Sequence, residues 1–213
     1  GFYATGLIDR SLEKPLPKLR FGFLLIKERQ EFYQDFAREL EAAVAARTDV
    51  IGSCRIVFAS SIAPEDFTTL MEDLARDCDV VACTAVNHAR VTETVQALRA
   101  NGTPVFALLN DFAQGHRENY IGINNLNAGR VAGWMISLAA KRPGKVALMV
   151  GSSRWHGHEL REAGFRAQFR EMATGLELLE SIFTLETRPI AYETTLALLK
   201  RHDMRGALLF LDL

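Results

Sequence analysis

The sequence predicts an α/β protein made of two doubly wound parallel-sheet lobes, the second of them incomplete. Three observations carry this reading. Short β-rich runs alternate with amphipathic helices along nearly the whole chain, the runs are apolar on consecutive rather than alternate residues, and the last run, Gly206 to Leu211, has nothing after it. Runs apolar on both faces belong to strands buried between layers, and strands joined by helices of about 10–15 residues need right-handed crossovers, which build a parallel sheet. An apolar strand needs neighbours and covering helices, so the natural chain is expected to continue past Leu213.

Pro15-Leu16-Pro17 makes a stiff extended connector, so residues 1–18 read as a linker. Phe21 to Ile26 is the first strand, and Phe32, Phe36, Leu40 and Val44 recur every four residues as the stripe of the first helix. Strand Ile56 to Ala59 precedes Pro64 at a helix start, with Phe67, Leu70 and Leu74 on one face. Strand Val80 to Thr84 leads to a helix through Val91, Val95 and Leu98, which Asn101-Gly102 closes before the strand Val105 to Leu109. These elements make residues 19–118 the first lobe. Residues 119–126, around Tyr120-Ile121-Gly122-Ile123, are read as a crossover that opens the second series. Residues 127–213 make the partial second lobe. It comprises a helix through Val131, Met135 and Leu138, a strand Lys145 to Val150, a helix across Leu160 to Phe169, a strand near Leu178 to Phe183, a helix from about Pro189 to Leu199, and the final strand.

Composition excludes several classes. A chain of 213 residues with 48% hydrophobic and 24% charged residues is globular, not disordered. With 25 basic against 26 acidic residues the net charge is -1, so these residues carry no electrostatic footprint for a phosphate backbone. Cys54, Cys78 and Cys83 lack C-x-x-C spacing and lie in or beside apolar runs, as buried thiols of a reducing compartment do. No basic and apolar leader opens the chain, and no apolar stretch of about 18 residues occurs, so the reading is cytoplasmic, without a membrane.

In open parallel sheets ligands bind beyond the carboxyl ends of the strands, so the polar residues just after each run are the candidates. Lys27, Arg29, Gln30, Phe32 and Tyr33 follow the first strand, Asn87 and His88 the third, and Asn110 and Asp111 the fourth. Asn124, Asn125 and Asn127 follow Tyr120 to Ile123, and Ser152, Ser153, Arg154, Trp155, His156, His158 and Glu159 follow Lys145 to Val150. Amides and carboxylates match vicinal hydroxyls and aromatic faces pack on sugar C–H faces, so the inventory suits a carbohydrate or polyol. Each residue has a plainer role: core packing for Phe32 and Tyr33, turn chemistry for Asn110 and Asp111, and helix capping for the asparagines at 124, 125 and 127. Asp111→Ala is expected to abolish ligand-induced stabilisation without harming the fold.

No catalytic group, cofactor or metal is assigned. His156-Gly157-His158-Glu159 lacks the His-Glu-x-x-His spacing that puts both imidazoles on one helix face, with Arg161 and Glu162 standing where a second His is needed. There is no phosphate-binding glycine loop, no Gly-x-Ser-x-Gly elbow, and no nucleophile that the sequence pairs with a base. The charges of Glu159 to Glu171 read as a solvated helix face with pairs such as Glu162 and Arg166.

The segment from Tyr120 to Gly133, YIGINNLNAGRVAG, is similar to a V-G-x-D-N-x-x-A-G-x-x-A pattern, and Arg161-Glu-Ala-Gly-Phe165 follows the strand Lys145 to Val150 as an R-x-x-G-F helix. On these motifs nearly the whole chain resembles the effector-binding core of lac-repressor-type (LacI/GalR) transcriptional regulators, whose fold is shared with periplasmic sugar-binding proteins of the ribose-binding kind. Asn124 departs from the pattern's usual aspartate. Residues 1–12 look like the end of that family's DNA-binding headpiece and hinge.

The resemblance implies two lobes that close on a small-molecule effector, and a homodimer that reads operator DNA through a helix-turn-helix headpiece lying before Gly1 and absent from these residues. It suggests Phe32 and Tyr33 as an aromatic wall, Asn87 and Asp111 as polar contacts of the first lobe, and Trp155 and Glu159 as contacts of the second. Arg29, Asn110, Asn124, His156 and Arg161 are further candidates, Arg161 being read also as a structural partner within its lobe. Glu159 stands where ribose binders often carry arginine, so the ligand need not be ribose. The expected function is a sugar- or polyol-sensing domain of a repressor without catalysis, the alternative being a sugar-binding protein of an ABC transporter.

Overall fold

The computed structural model describes residues 15–140, 142–172, 175–201 and the strand 208–211. Most of the segment read as a linker, residues 1–14, lies outside the described residues. β1 begins at Lys18 and runs to Ile26; α1 (Glu31–Ala45), β2 (Ile51–Ala59), α2 (Pro64–Asp77), β3 (Val80–Cys83), α3 (Ala89–Ala100), β4 (Val105–Leu108) and β5 (Tyr120–Ile121) follow. They form one parallel sheet in the order β2-β1-β3-β4-β5. Leu24, Val81, Cys83, Val105 and Ala107 pack with Phe67, Met71 and Leu74 of α2 and Val91 and Val95 of α3 on one face. Phe23 and Leu25 point to the other, where Phe36, Leu40 and Val44 of α1 cover them.

Two boundaries differ from the sequence reading. β2 starts five residues early, at Ile51, because the register with β1 continues from Lys18↔Ile51 at the sheet edge, where a strand needs no two-sided apolar run. Tyr120–Ile121 closes the first sheet against Ala107 and Leu108 instead of opening the second series. Cys78 and Cys83 are buried as expected, and Cys54, on edge strand β2, is half-buried.

The second sheet is also parallel. After α4 (Asn125–Ala139), β6 (Lys145–Val150) is central; α5 (His156–Met172), β7 (Glu177–Leu178), β8 (Ile182–Phe183), α6 (Arg188–Arg201) and β9 (Leu208–Leu211) complete the order. β7 pairs with the start of β6 and β8 with its end, so the single strand expected near 178–183 is interrupted. β9 pairs with β6, Val146↔Leu208 to Met149↔Leu211. Val146, Leu148 and Val150 bury against Phe165 and Phe169 of α5, whose rings stack with centroids 5.8 Å apart.

α4 reverses its expected orientation. Val131, Met135 and Leu138 are 54%, 58% and 60% exposed, while Asn125, Gly129, Gly133 and Ser137 form the buried face. The small face wins because α4 and α5 touch backbone to backbone. A Cβ on Gly129 would stand 1.9 Å from the Arg161 carbonyl oxygen, and one on Gly164 2.0 Å from that of Leu126. The two motifs that carry the family resemblance are therefore the two halves of one helix contact, which sets the start of α5 against the first lobe. The Glu162–Arg166 pair, expected as solvated, is half-buried and shares the Ser181 hydroxyl.

Candidate functional site

The ends of β1, β3 and β4 face the first turns of α4 and α5 across a cleft of about 420 Å³, within the roughly 300–1,000 Å³ typical of small-molecule sites. Both lobes line it, as the rule that ligands sit beyond the carboxyl ends of parallel strands requires.

Three aromatic rings stand on this cleft. Phe32, at the start of α1, is 58% exposed and so leaves the apolar stripe that Phe36, Leu40 and Val44 continue. It meets Tyr33 edge to face, with ring centroids 5.1 Å apart. Burial, with the Glu186 carboxylate nearby, pushes the Tyr33 phenol up to about 12, so it is a neutral hydroxyl at any physiological pH. Trp155 is 5% exposed and packs into the core of the first lobe, although it lies in the second half of the chain.

The amides pin the two lobes together. The buried Asn110 donates its Nδ2 to the Ala85 carbonyl at 2.7 Å and accepts from the Gly157 backbone N–H at 3.0 Å. Asn125, buried in the first turn of α4, donates to the Tyr120 hydroxyl at 3.2 Å, and that hydroxyl lies 3.0 Å from the carbonyls of Leu109 and Ile123. Thr84, 2% exposed, uses its backbone N–H on Leu24, while its hydroxyl has no hydrogen-bond partner among the described residues.

The other titratable groups on the cleft are Lys27, Glu186, His158 and Arg161. Lys27 of the first lobe forms an ion pair with Glu186 of the second. His158 Nδ1 lies 3.1 Å from both the backbone N–H and the carbonyl oxygen of Ser152, and its Nε2 lies 3.6 Å from Glu186 Oε1. Burial, then the Arg161 charge, holds the His158 imidazole below its ordinary range, so it is neutral at neutral pH. Arg161 Nε lies 3.5 Å from the Gly157 carbonyl within α5. Lys27, Leu109 and Glu186 all hold left-handed backbone, with φ of 52°, 61° and 57°. Such conformations cost a non-glycine residue of order 1–3 kcal/mol and gather at ligand sites.

Of the residues expected from the sequence, Phe32, Tyr33, Asn110, Trp155 and Arg161 line this cleft. Asn87, His156 and Glu159 line a neighbouring cavity of about 370 Å³, also between the lobes. Arg29 lies on a third hollow beside the end of β2. Two further expected residues lie off this cleft. Asn124 takes the plainer role, capping α4 by accepting from Asn127 N–H at 3.0 Å. Asp111, 8% exposed, does not line the cleft: its carboxylate is held by the Arg117 guanidinium, Nη2 to Oδ2 at 2.8 Å, and by Gln114 at 2.8 Å. Burial alone would raise the Asp111 carboxyl, but those bonds hold it below the usual carboxylate range.

Lys27, His158 and Asn125 are strand-end polar residues of the kind the sequence offers, yet only the fold shows them converging. Thr84 is the first polar residue after the Val80–Cys83 run and carries the same signal. Glu186 was hidden because β8 is only two residues long. His156 and His158 diverge, one to the outer cavity and one to Glu186. Among the described residues no group of three or more His, Cys, Asp or Glu side chains could hold a metal ion, and no helix is long and apolar enough to cross a membrane.

A family described as a periplasmic binding protein domain matches residues 21–210. Solved structures share the fold at low identity. An ABC transporter solute-binding protein from Burkholderia graminis in complex with D-arabinose superposes with a TM-score of 0.80 at 19% identity, over 92% of this chain and 67% of that one. The fructose-binding periplasmic domain of a hybrid two-component system gives 0.77 at 20%, over 90% and 63%. A glucose-galactose binding protein from Geobacillus stearothermophilus gives 0.73 at 21%, over 87% and 66%. The chain thus spans about two thirds of the length of these structures. No curated protein sequence matches the chain.

Proposed function

The chain belongs to the periplasmic binding protein domain family, and we propose that it binds a sugar or related polyol between its two lobes, without catalysing a reaction. The observation that carries this reading is the convergence of Phe32, Tyr33 and Trp155 with the amides Asn110 and Asn125 on one inter-lobe cleft. Aromatic faces match the apolar faces of a sugar ring and amides match its hydroxyls. The ligands of similar proteins, D-arabinose, fructose and glucose-galactose, support the same class.

The regulatory part of the proposal is a cytoplasmic repressor in which ligand closure biases a homodimer between operator-binding and released states. It rests on the resemblance of residues 1–12 to a headpiece hinge and of residues 120–133 and 161–165 to the core of lac-repressor-type regulators. A second reading, a solute-binding protein for a transporter, is favoured by the likeness to ABC transporter solute-binding proteins.

A thermal-shift screen against aldoses, polyols and sugar derivatives tests the binding proposal, since a ligand selective for the native state raises its melting temperature. A folded protein that responds to none of them overturns it. The coding sequence upstream of Gly1 separates the two roles: a helix-turn-helix supports the regulator, a secretory leader the transporter component.

A further inference from the structure

Among the described residues the chain passes from the first lobe to the second once, between Ile121 at the end of β5 and Asn125 at the start of α4. One covalent crossing does not fix how two lobes meet, so side chains must do it. Away from that crossing the lobes are bridged by Trp155, by the Lys27–Glu186 ion pair and by the bond from Asn110 to Gly157. Trp155 lies in the loop between β6 and α5, both second-lobe elements, yet it is 5% exposed within the cluster that Leu24, Ile26 and Val86 form in the first lobe. An indole carries a large apolar surface, and parting the lobes returns that surface to water.

The ion pair is prepared from both sides. Lys27 follows β1 in left-handed backbone, φ 52°, and its carbonyl accepts the Gln30 N–H at 2.8 Å. Glu186, φ 57°, donates its N–H to Thr184 Oγ1 at 3.4 Å. Its side chain lies so near Gly151 that a Cβ there would stand 2.7 Å from Glu186 Cγ. Each partner is therefore aimed by contacts within its own lobe, which lowers the side-chain entropy lost when the two meet. The side chains are 30% and 15% exposed, so the pair is screened less than one on the open surface, but water and salt still reach it.

We propose that these contacts form a clasp that holds the lobes closed by the protein's own bonds, with Trp155 as its anchor and Lys27–Glu186 as its catch. Closure is then a standing equilibrium of the chain that a ligand biases, not a state that the ligand creates. The clasp acts whatever class of ligand the cleft takes, so its failure leaves the sugar-binding proposal standing.

The test needs no ligand. The chain has two tryptophans, so in a Trp134→Phe parent all indole emission comes from Trp155, and acrylamide quenching reads how often that ring leaves the first lobe. The parent is expected to be quenched roughly fivefold less than free tryptophan. Lys27→Met and Glu186→Gln in that parent are each expected to raise the quenching constant about twofold or more, and the double variant no further, since either change removes the same bond. Raising NaCl from about 0.01 to about 1 M, which shortens the screening length from about 30 to about 3 Å, should move the parent toward these variants and leave the variants unmoved. Trp155→Ala, with Trp134 kept, is expected to enlarge the radius of gyration in small-angle scattering while its far-ultraviolet circular dichroism persists. A parent quenched like an exposed indole overturns the proposal, because its lobes are then open. Parent-like quenching in both single variants, or additive effects in the double variant, overturns it as well. If Trp155→Ala fails to fold, the salt titration of the parent decides, and quenching that does not rise with salt overturns the clasp.

Discussion

Asn110 Oδ1 accepts the backbone N–H of Gly157 at 3.0 Å, so the end of β4 in the first lobe is bonded to the first turn of α5 in the second. The same amide donates to the Ala85 carbonyl at 2.7 Å, and both bonds are buried. One side chain thus holds two backbone groups that water does not reach. Asn110→Ala leaves both unpaired and is expected to cost about 1–3 kcal/mol in urea denaturation. A loss well under that range would mean that water replaces the amide.

Asp111, the next residue, holds the loop that follows β4. Its bonds to Arg117 and Gln114 tie the loop after β4 to the residues before β5. Asp111→Asn is expected to lower stability by about 1–3 kcal/mol, the range for charge-assisted bonds, while the ligand-induced rise in melting temperature persists. A variant of normal stability that no longer responds to ligand would return Asp111 to the binding site.

The pH dependence follows from His158. Its folded pKa lies below the unfolded value of about 6.5. Between those two values the unfolded chain binds the extra proton, so stability is complete above about pH 6.5 and falls as the pH drops toward the folded value. Melting curves from pH 7.5 down to 5 should show this decline, and His158→Gln should flatten it. A His158→Gln variant whose curve still declines in parallel with the wild type would place the titration elsewhere.

Gly129 and Gly164 test the helix contact. Alanine at either site pushes a methyl into a backbone carbonyl, so α4 and α5 must separate. Each change is expected to destabilise by at least about 1–3 kcal/mol, the usual cost of overpacking. Because α5 carries Gly157, His158 and Arg161 to the cleft, ligand affinity should fall as well. Unchanged melting in both variants would contradict the close packing.

Trp155 supplies an optical readout. It is buried on the cleft, whereas Trp134 is 47% exposed on α4 and lies outside the cleft lining. Ligand should change the blue-shifted part of the tryptophan emission, and Trp155→Phe should remove that response. A response that survives Trp155→Phe would assign it to Trp134.

Much of the fold was legible because local rules and tertiary packing agree there. Consecutive apolar residues at 21–26, 80–83, 105–108 and 146–150 leave a strand no solvated face, and each of these runs lies in a strand of a parallel sheet. α4 shows where the agreement fails. Its Val131, Met135 and Leu138 stripe has helical spacing and predicts a buried face, but periodicity cannot register that glycines on the opposite face permit a closer partner. The site divides in the same way. Phe32, Tyr33, Asn110 and Trp155 line the cleft and were legible by position after a strand, Arg161 entered only through the family resemblance, and Asp111 satisfies the positional rule but is claimed by Arg117, six residues on.

By itself the sequence determined the order of strands and helices, the parallel sheets that this order requires, and the strand ends at which polar and aromatic groups collect. These depend on hydrophobic period and chain connectivity, which are local. Only the tertiary structure decided which of those groups face one another. The Lys27–Glu186 ion pair, the bond from Asn110 to Gly157 and the Thr84 hydroxyl, unpartnered among the described residues, each depend on how the chain packs. The first two join residues 159 and 47 positions apart, and no period along the chain encodes such a meeting.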